Sequence, residues 1–264
     1  MSDINFRGKN LYYLDESIGT PLVLIHGFCE DNTIWDSFVK LLPNDVRIIR
    51  PDLPGFGKSA LPGGEISIDT YADAVYEILK KENIDKCLVI GHSMGGYTAL
   101  AFAEQHPGML TGMVLFHSSA FADDENKKQD RLRAIDFVTK NGVEVYIHEV
   151  YSKLFAPDYY SKNLQLILQL QKYAYRFSSK GIIAVLNAMR QRPDRTCILK
   201  NLASPVLFII GKKDNAVPYE KSRQQIALAN VSQLLILSDV AHMGMFEAPE
   251  ESAKAIKEFM LLIQ

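Results

Sequence analysis

Residues 88–97 read Leu-Val-Ile-Gly-His-Ser-Met-Gly-Gly-Tyr, and the fold turns on them. A short apolar run leads into Gly91-His92-Ser93-Met94-Gly95, and a small-residue segment of helical character follows at once, which predicts Ser93 on a strand-to-helix turn. Glycines two residues before and two after Ser93 let strand and helix approach closely, so the bend is sharp enough to present the hydroxyl. Backbone in such a bend stores about 1–3 kcal/mol of strain. Glycine-rich turns also join strands to helices for packing alone, so the setting has to decide.

Outward from this stretch, the chain alternates. Strands are predicted at residues 11–14, in the apolar run 21–27, and at 46–50, 87–90 and 113–116. Between them, Trp35, Phe38, Val39 and Leu42 recur at helical spacing, as do Tyr71, Val75, Ile78 and Leu79, with Asp69 as expected N-cap. Residues 51–59, rich in proline and glycine, read as a loop. Strands alternating with helices predict an α/β protein with a mostly parallel sheet covered on both faces.

The alternation breaks at Ser118. Residues 123–133 are strongly charged, and three segments of helical periodicity follow, around Val143 to Leu154, Leu164 to Leu168 and Ile182 to Met189. Residues 120–193 are therefore expected to form a helical cap inserted into a core made of 1–119 and 194–264. Strand character returns at 205–211 and 234–237, with a helix at 221–229 between them. Pro249, Glu250 and Glu251 open a last helix whose buried stripe is Ile256, Phe259, Met260 and Ile263.

Composition limits the function. The chain has 264 residues, 47% hydrophobic and 23% charged, with a formal charge of −2, which suits a folded protein and argues against general affinity for nucleic acid or an anionic membrane. Cys29, Cys87 and Cys197 are too few and too scattered for a disulfide framework or a zinc site. Residues 1–19 lack the pattern of a signal peptide, and the apolar runs are only strand-sized. A cytoplasmic protein acting on a small molecule is expected, with no metal or organic cofactor; no motif specifies a protein partner.

Ser93, Asp214 and His242 fall at strand ends in that order, which a parallel sheet gathers on one edge. Together with His26-Gly27-Phe28, Asp52-Leu-Pro-Gly-Phe-Gly57, Gly211-Lys-Lys-Asp214 and Ala241-His242, this order resembles the α/β-hydrolase superfamily over the whole chain. The chemistry agrees. A serine hydroxyl needs a base to take its proton, imidazole titrates in the right range, and a carboxylate fixes its tautomer. Ser93 is thus the expected nucleophile, His242 the base and Asp214 the acid, although Asp123, Asp124 and Asp239 also satisfy the chain order. The resemblance implies an oxyanion hole from the backbone amides of Phe28 and Met94.

His26 and His92 are read as shaping loops, and Cys29 as pocket lining or packing. Candidate substrate contacts are His117 at a strand end, Tyr151, Met189 and Arg190 in the cap, and Met243 beside His242. The expected function is a serine hydrolase cleaving an ester, thioester or lactone. The same triad also serves carbon–carbon bond hydrolases or lyases, for which Arg190 is the relevant feature, and cofactor-free perhydrolases. Some relatives act as ligand sensors without turnover, because fold does not determine function.

Overall fold

The structure is a computed structural model, and it describes residues 2–263. Its strands are β1 (Ser2–Phe6), β2 (Lys9–Glu16), β3 (Thr20–Ile25), β4 (Val46–Pro51), β5 (Cys87–His92), β6 (Leu110–Phe116), β7 (Val206–Gly211) and β8 (Ser232–Leu237). They form one sheet in the order β1-β2-β4-β3-β5-β6-β7-β8. β2 pairs antiparallel with both β1 and β4, and every later pairing is parallel. The strand expected at 11–14 is the middle of β2. Every residue of β5 and of β7 is buried, as continuous apolar runs between two helical layers require, whereas β8 alternates towards solvent at the sheet edge.

Eleven α-helices surround or cross this sheet among the described residues: α1 (Ile68–Lys81), α2 (Met94–Gln105), α3 (Glu125–Asn141), α4 (Val143–Tyr151), α5 (Pro157–Lys162), α6 (Leu164–Ala174), α7 (Ser179–Gln191), α8 (Thr196–Asn201), α9 (Tyr219–Ile226), α10 (Gly244–Glu247) and α11 (Pro249–Leu262). None is long and apolar enough to cross a membrane. Helices α3 to α7 leave the sheet after β6, and the chain comes back beside its own exit, where the Arg195 N–H donates to the Ala120 carbonyl at 2.8 Å.

Several local expectations are corrected. The segment around Trp35 and Leu42 is not one helix but two 3₁₀ turns, Asn32–Trp35 and Val39–Leu41. Asp31 tightens the first by accepting from the Thr33 N–H and hydroxyl at 3.0 and 2.6 Å, and Trp35 within it and Phe38 between the two turns still reach Phe116. Ser67, not Asp69, caps α1: its hydroxyl accepts the Thr70 N–H at 3.2 Å, leaving Asp69 in the first turn. The charged stretch 123–133 lies largely in α3. Asp124 caps that helix, and its exposed face carries i,i+3 and i,i+4 ion pairs such as Glu125–Lys128 and Asp136–Lys140.

Everything near Ser93 rests on how closely β3, β5 and α2 meet. A Cβ on Gly91 would lie 2.4 Å from the Gly95 carbonyl oxygen, and one on Gly95 would lie 2.3 Å from that of Ile25. These neighbours are backbone and have nowhere to go. Gly95→Ala is therefore expected to destabilise the protein by about 1–3 kcal/mol or more. Gly108→Ala, where a Cβ meets nothing within 4 Å, should stay within about 0.5 kcal/mol. Urea unfolding of the two variants beside the parent checks this.

Candidate active site

Ser93 sits between β5 and α2 with φ 51° and ψ −114°, a left-handed φ that a non-glycine residue holds only where its surroundings enforce it. The enforcement is visible. The Ser93 N–H donates to Phe116 O at 2.9 Å, and its carbonyl accepts from the Gly96 N–H at 2.9 Å and the Ser118 hydroxyl at 2.7 Å. The Ser93 side chain is left facing a cavity of about 130 Å³, whose wall also includes His242, Phe28, Glu30, Tyr97, Lys127, Arg131, Tyr146 and Met189.

His242 reaches that cavity from the loop after β8. Its Nδ1 is 2.7 Å from Asp214 Oδ2, and both side chains are buried. Asp214, in the turn after β7, has its other oxygen held by the Ala216 and Val217 N–H groups at 2.8 and 2.9 Å. Burial alone would raise the Asp214 carboxyl, but the attraction of His242, the hydrogen bond it makes and the nearby His117 hold it well below the usual carboxylate range. With a carboxylate on Nδ1, the proton sits there and Nε2 is left as a base. The other carboxylates that satisfied the chain order are engaged elsewhere, Asp239 with Lys213, Asp124 with Lys221, and Asp123 with Arg131 and Arg192.

Phe28 lines the cavity, and Met94 is the first residue of α2, so the Met94 N–H lacks an intrahelical acceptor. Among the described residues no acceptor is found for the Phe28 N–H either. Of the five candidate substrate contacts, Met189 alone lines the cavity. His117 lies beneath it, fully buried, with Nδ1 3.5 Å from Asp214 Oδ2; burial pushes its pKa down to about 4 and keeps it neutral. Tyr151 turns its hydroxyl to the Cys29 carbonyl at 2.8 Å, tying α4 to the loop after β3. Arg190 contacts Asn187 at 3.4 Å on its own helix, and Met243 is buried in the core at the start of α10. Helical spacing cannot say which flank of a helix faces a cavity, and Tyr151 and Arg190, like His117 and Met243, do not line this one. Cys29 is buried and its thiol pushed up by burial, which removes it as a nucleophile.

His117, Asp214 and His242 bring three ligand-type atoms within 4.8 Å of one another. All three are buried, and the shortest approach is already a hydrogen bond, so this donor set fits a proton-holding cluster better than a cation site.

The sequence reading missed Glu30. Its Oε2 is 2.9 Å from His92 Nδ1 and accepts the Gly27 N–H at 2.6 Å, while His92 Nε2 lies 2.9 Å from the His242 carbonyl oxygen. Both His92 nitrogens face acceptors, so the ring needs both protons. Burial would push the His92 imidazole down, but Glu30 reverses this and holds it above its ordinary range. Burial would likewise raise Glu30, but His92 and the Gly27 amide hold it below. The pair spans the loop after β3, the Ser93 turn and the His242 loop from 62 residues apart, a separation at which no local pattern announces it. Glu30→Gln should cost about 2 kcal/mol near neutral pH. That difference should shrink as pH falls through the depressed Glu30 pKa, and again as pH rises through the raised His92 pKa. Urea unfolding of both proteins across a pH series measures it.

Comparison with known proteins fits this geometry. The hydrolase of 2-hydroxy-6-oxo-6-(2'-aminophenyl)hexa-2,4-dienoic acid from Metapseudomonas resinovorans is 27% identical, over 97% of this chain and 89% of that protein. A thermophilic esterase from Thermogutta terrifontis, solved with malate bound, superposes with a TM-score of 0.93 at 27% identity, covering 100% of this chain and 99% of that one. An enol-lactonase from Burkholderia xenovorans LB400 shares the fold, with a TM-score of 0.91 at 20% identity over 98% and 100% of the two chains. The family model described as the alpha/beta hydrolase fold matches residues 20–249, and the chain belongs to that family of hydrolases.

Proposed function

We propose that this protein is a serine hydrolase that cleaves a small ester or related acyl bond through an acyl-enzyme. The observation that carries the reading is the meeting of Ser93, on a strained turn, with a buried Asp214–His242 pair at one cavity. Ser93 Oγ attacks the carbonyl carbon as its proton passes to His242 Nε2, and that proton leaves with the alcohol. Water then gives a proton to the same nitrogen as its oxygen attacks the acyl carbon, and the bond to Ser93 Oγ breaks as Oγ takes that proton back, releasing the acid. The Phe28 and Met94 amides receive the charge on the tetrahedral oxygen, where one donor is worth roughly 10² to 10³ in rate. Residues 120–193 act as a helical cap in this reading, contributing Tyr146, Val150, Leu154 and Met189 to an apolar acyl wall. Three unpaired cysteines suit the reducing cytoplasm.

Carbon–carbon bond hydrolysis by the same residues is the second reading, favoured by the likeness to the Metapseudomonas dienoic acid hydrolase. Turnover of a diketone acid exceeding that of every ester would select it.

Nitrophenyl esters from acetyl to decanoyl test the proposal. A cavity of about 130 Å³ should favour the short acyl chains, acetyl to butyryl. Ser93→Ala should lower kcat by at least about 10⁴. Equal turnover by wild type and Ser93→Ala at matched purity would defeat the assignment.

A further inference from the structure

Lys127 stands where two cavities adjoin. It lines the Ser93 cavity and also a neighbouring one of about 330 Å³, with Tyr97, Ala216 and Val217 common to both. Its position is anchored at both ends. The Lys127 N–H is held by the Asp124 cap at 2.9 Å, and Nζ lies 3.4 Å from the carbonyl of Ala216, two residues past Asp214. One turn further along α3, Arg131 faces the Ser93 cavity from the same side.

The charges lining the Ser93 cavity do not balance, since Lys127 and Arg131 meet Glu30 alone there, whereas the larger cavity is lined by more carboxylates than cations. Arg131 Nε is 2.5 Å from Asp123 Oδ2, and Arg192 is 2.8 Å from the other oxygen of the same carboxylate, so two guanidinium groups share one anion. Arg192 is committed further, to the Met189 and Phe121 carbonyls and to the face of Tyr97. The remaining acids each have a partner of their own: Asp124 with Lys221, Asp130 with Arg133, Glu220 with Arg223 and Glu30 with His92. Among the described residues Lys127 has no carboxylate partner. A cleft with apolar walls and surplus charge of one sign concentrates ligands of the other.

We propose that the natural substrate is an anion carrying a carboxylate a few bonds from the reacting carbonyl, and that Lys127 is its counter-ion, with Arg131 adding to the field. The inference rests on the hydrolase reading for the position of the carbonyl. Its charge recognition is separable from turnover. With the carbonyl at Ser93, the charged end extends towards the junction of the two cavities, where Lys127 supplies a point charge.

Mono(4-nitrophenyl) succinate and its methyl ester have the same reacting bond and differ in charge. The ratio of kcat/KM, acid over methyl ester, should exceed one in wild type. It should fall by about tenfold in Lys127→Gln, further in Lys127→Glu, and towards one in concentrated salt. A ratio below one in wild type, or one that neither substitution moves, overturns the proposal while leaving the hydrolase intact. If neither ester is cleaved, binding decides the charge question, and the acetyl-to-decanoyl series decides the hydrolase reading separately. Calorimetry on Ser93→Ala with monomethyl and dimethyl succinate should then favour the anion, and Lys127→Gln in that background should abolish the preference. Equal affinities without the second substitution overturn it.

Discussion

The structure depends on a spacing too small for a methyl group. Where β5 turns into α2, the backbone of Gly91 and Gly95 lies against other backbone, including the Ile25 carbonyl at the end of β3. That contact brings the loop after β3 beside the first turn of α2. It also forces Ser93 into its left-handed conformation, which only a dense set of hydrogen bonds can maintain. A looser junction would relax Ser93 and separate the groups around the cavity.

Buried charge supports that junction from beneath. His92, next to Ser93 in the chain, carries Glu30 on one nitrogen and the His242 backbone on the other. Three loops far apart in sequence are thus clamped by one ring. The Asp52 loop adds a second clamp, with its carboxylate accepting the Asn32 and Lys58 N–H groups while His26 Nε2 accepts the Leu53 N–H. The inserted helices lean on the same loops: Tyr151 reaches the Cys29 carbonyl, Arg176 pairs with Asp31, and the His242 N–H donates to Leu154. Charged and polar groups that a sequence offers as chemistry are here mostly fastening. Within a low-dielectric interior their mutual satisfaction is what makes them tolerable.

Much of the architecture was legible. Apolar runs of strand length ending in glycine located β3, β5 and β7, because a strand buried on both faces must be apolar throughout. The order Ser93, Asp214, His242 was legible because each follows a predicted strand, although β8, before His242, is buried on one face only. Less was visible where the local signal was ambiguous. The aromatic spacing of Trp35 and Phe38 is met as well by 3₁₀ turns as by a helix, and the charges of α3 concealed a helix because its apolar face is narrow.

Chain order and hydropathy thus determined by themselves that a parallel sheet would form and that a serine, a carboxylate and an imidazole would reach one edge. Strand propensity and turn chemistry are local, and a parallel sheet places every strand end alike. Tertiary structure alone decided that Asp214 rather than Asp239 meets His242, that His117 and Tyr151 turn away from the cavity, and that Glu30 holds His92. It also decided that Lys127 faces that cavity. Such pairings join residues tens of positions apart, and the direction a side chain takes is set by the packing of neighbouring elements, which no spacing within one element contains.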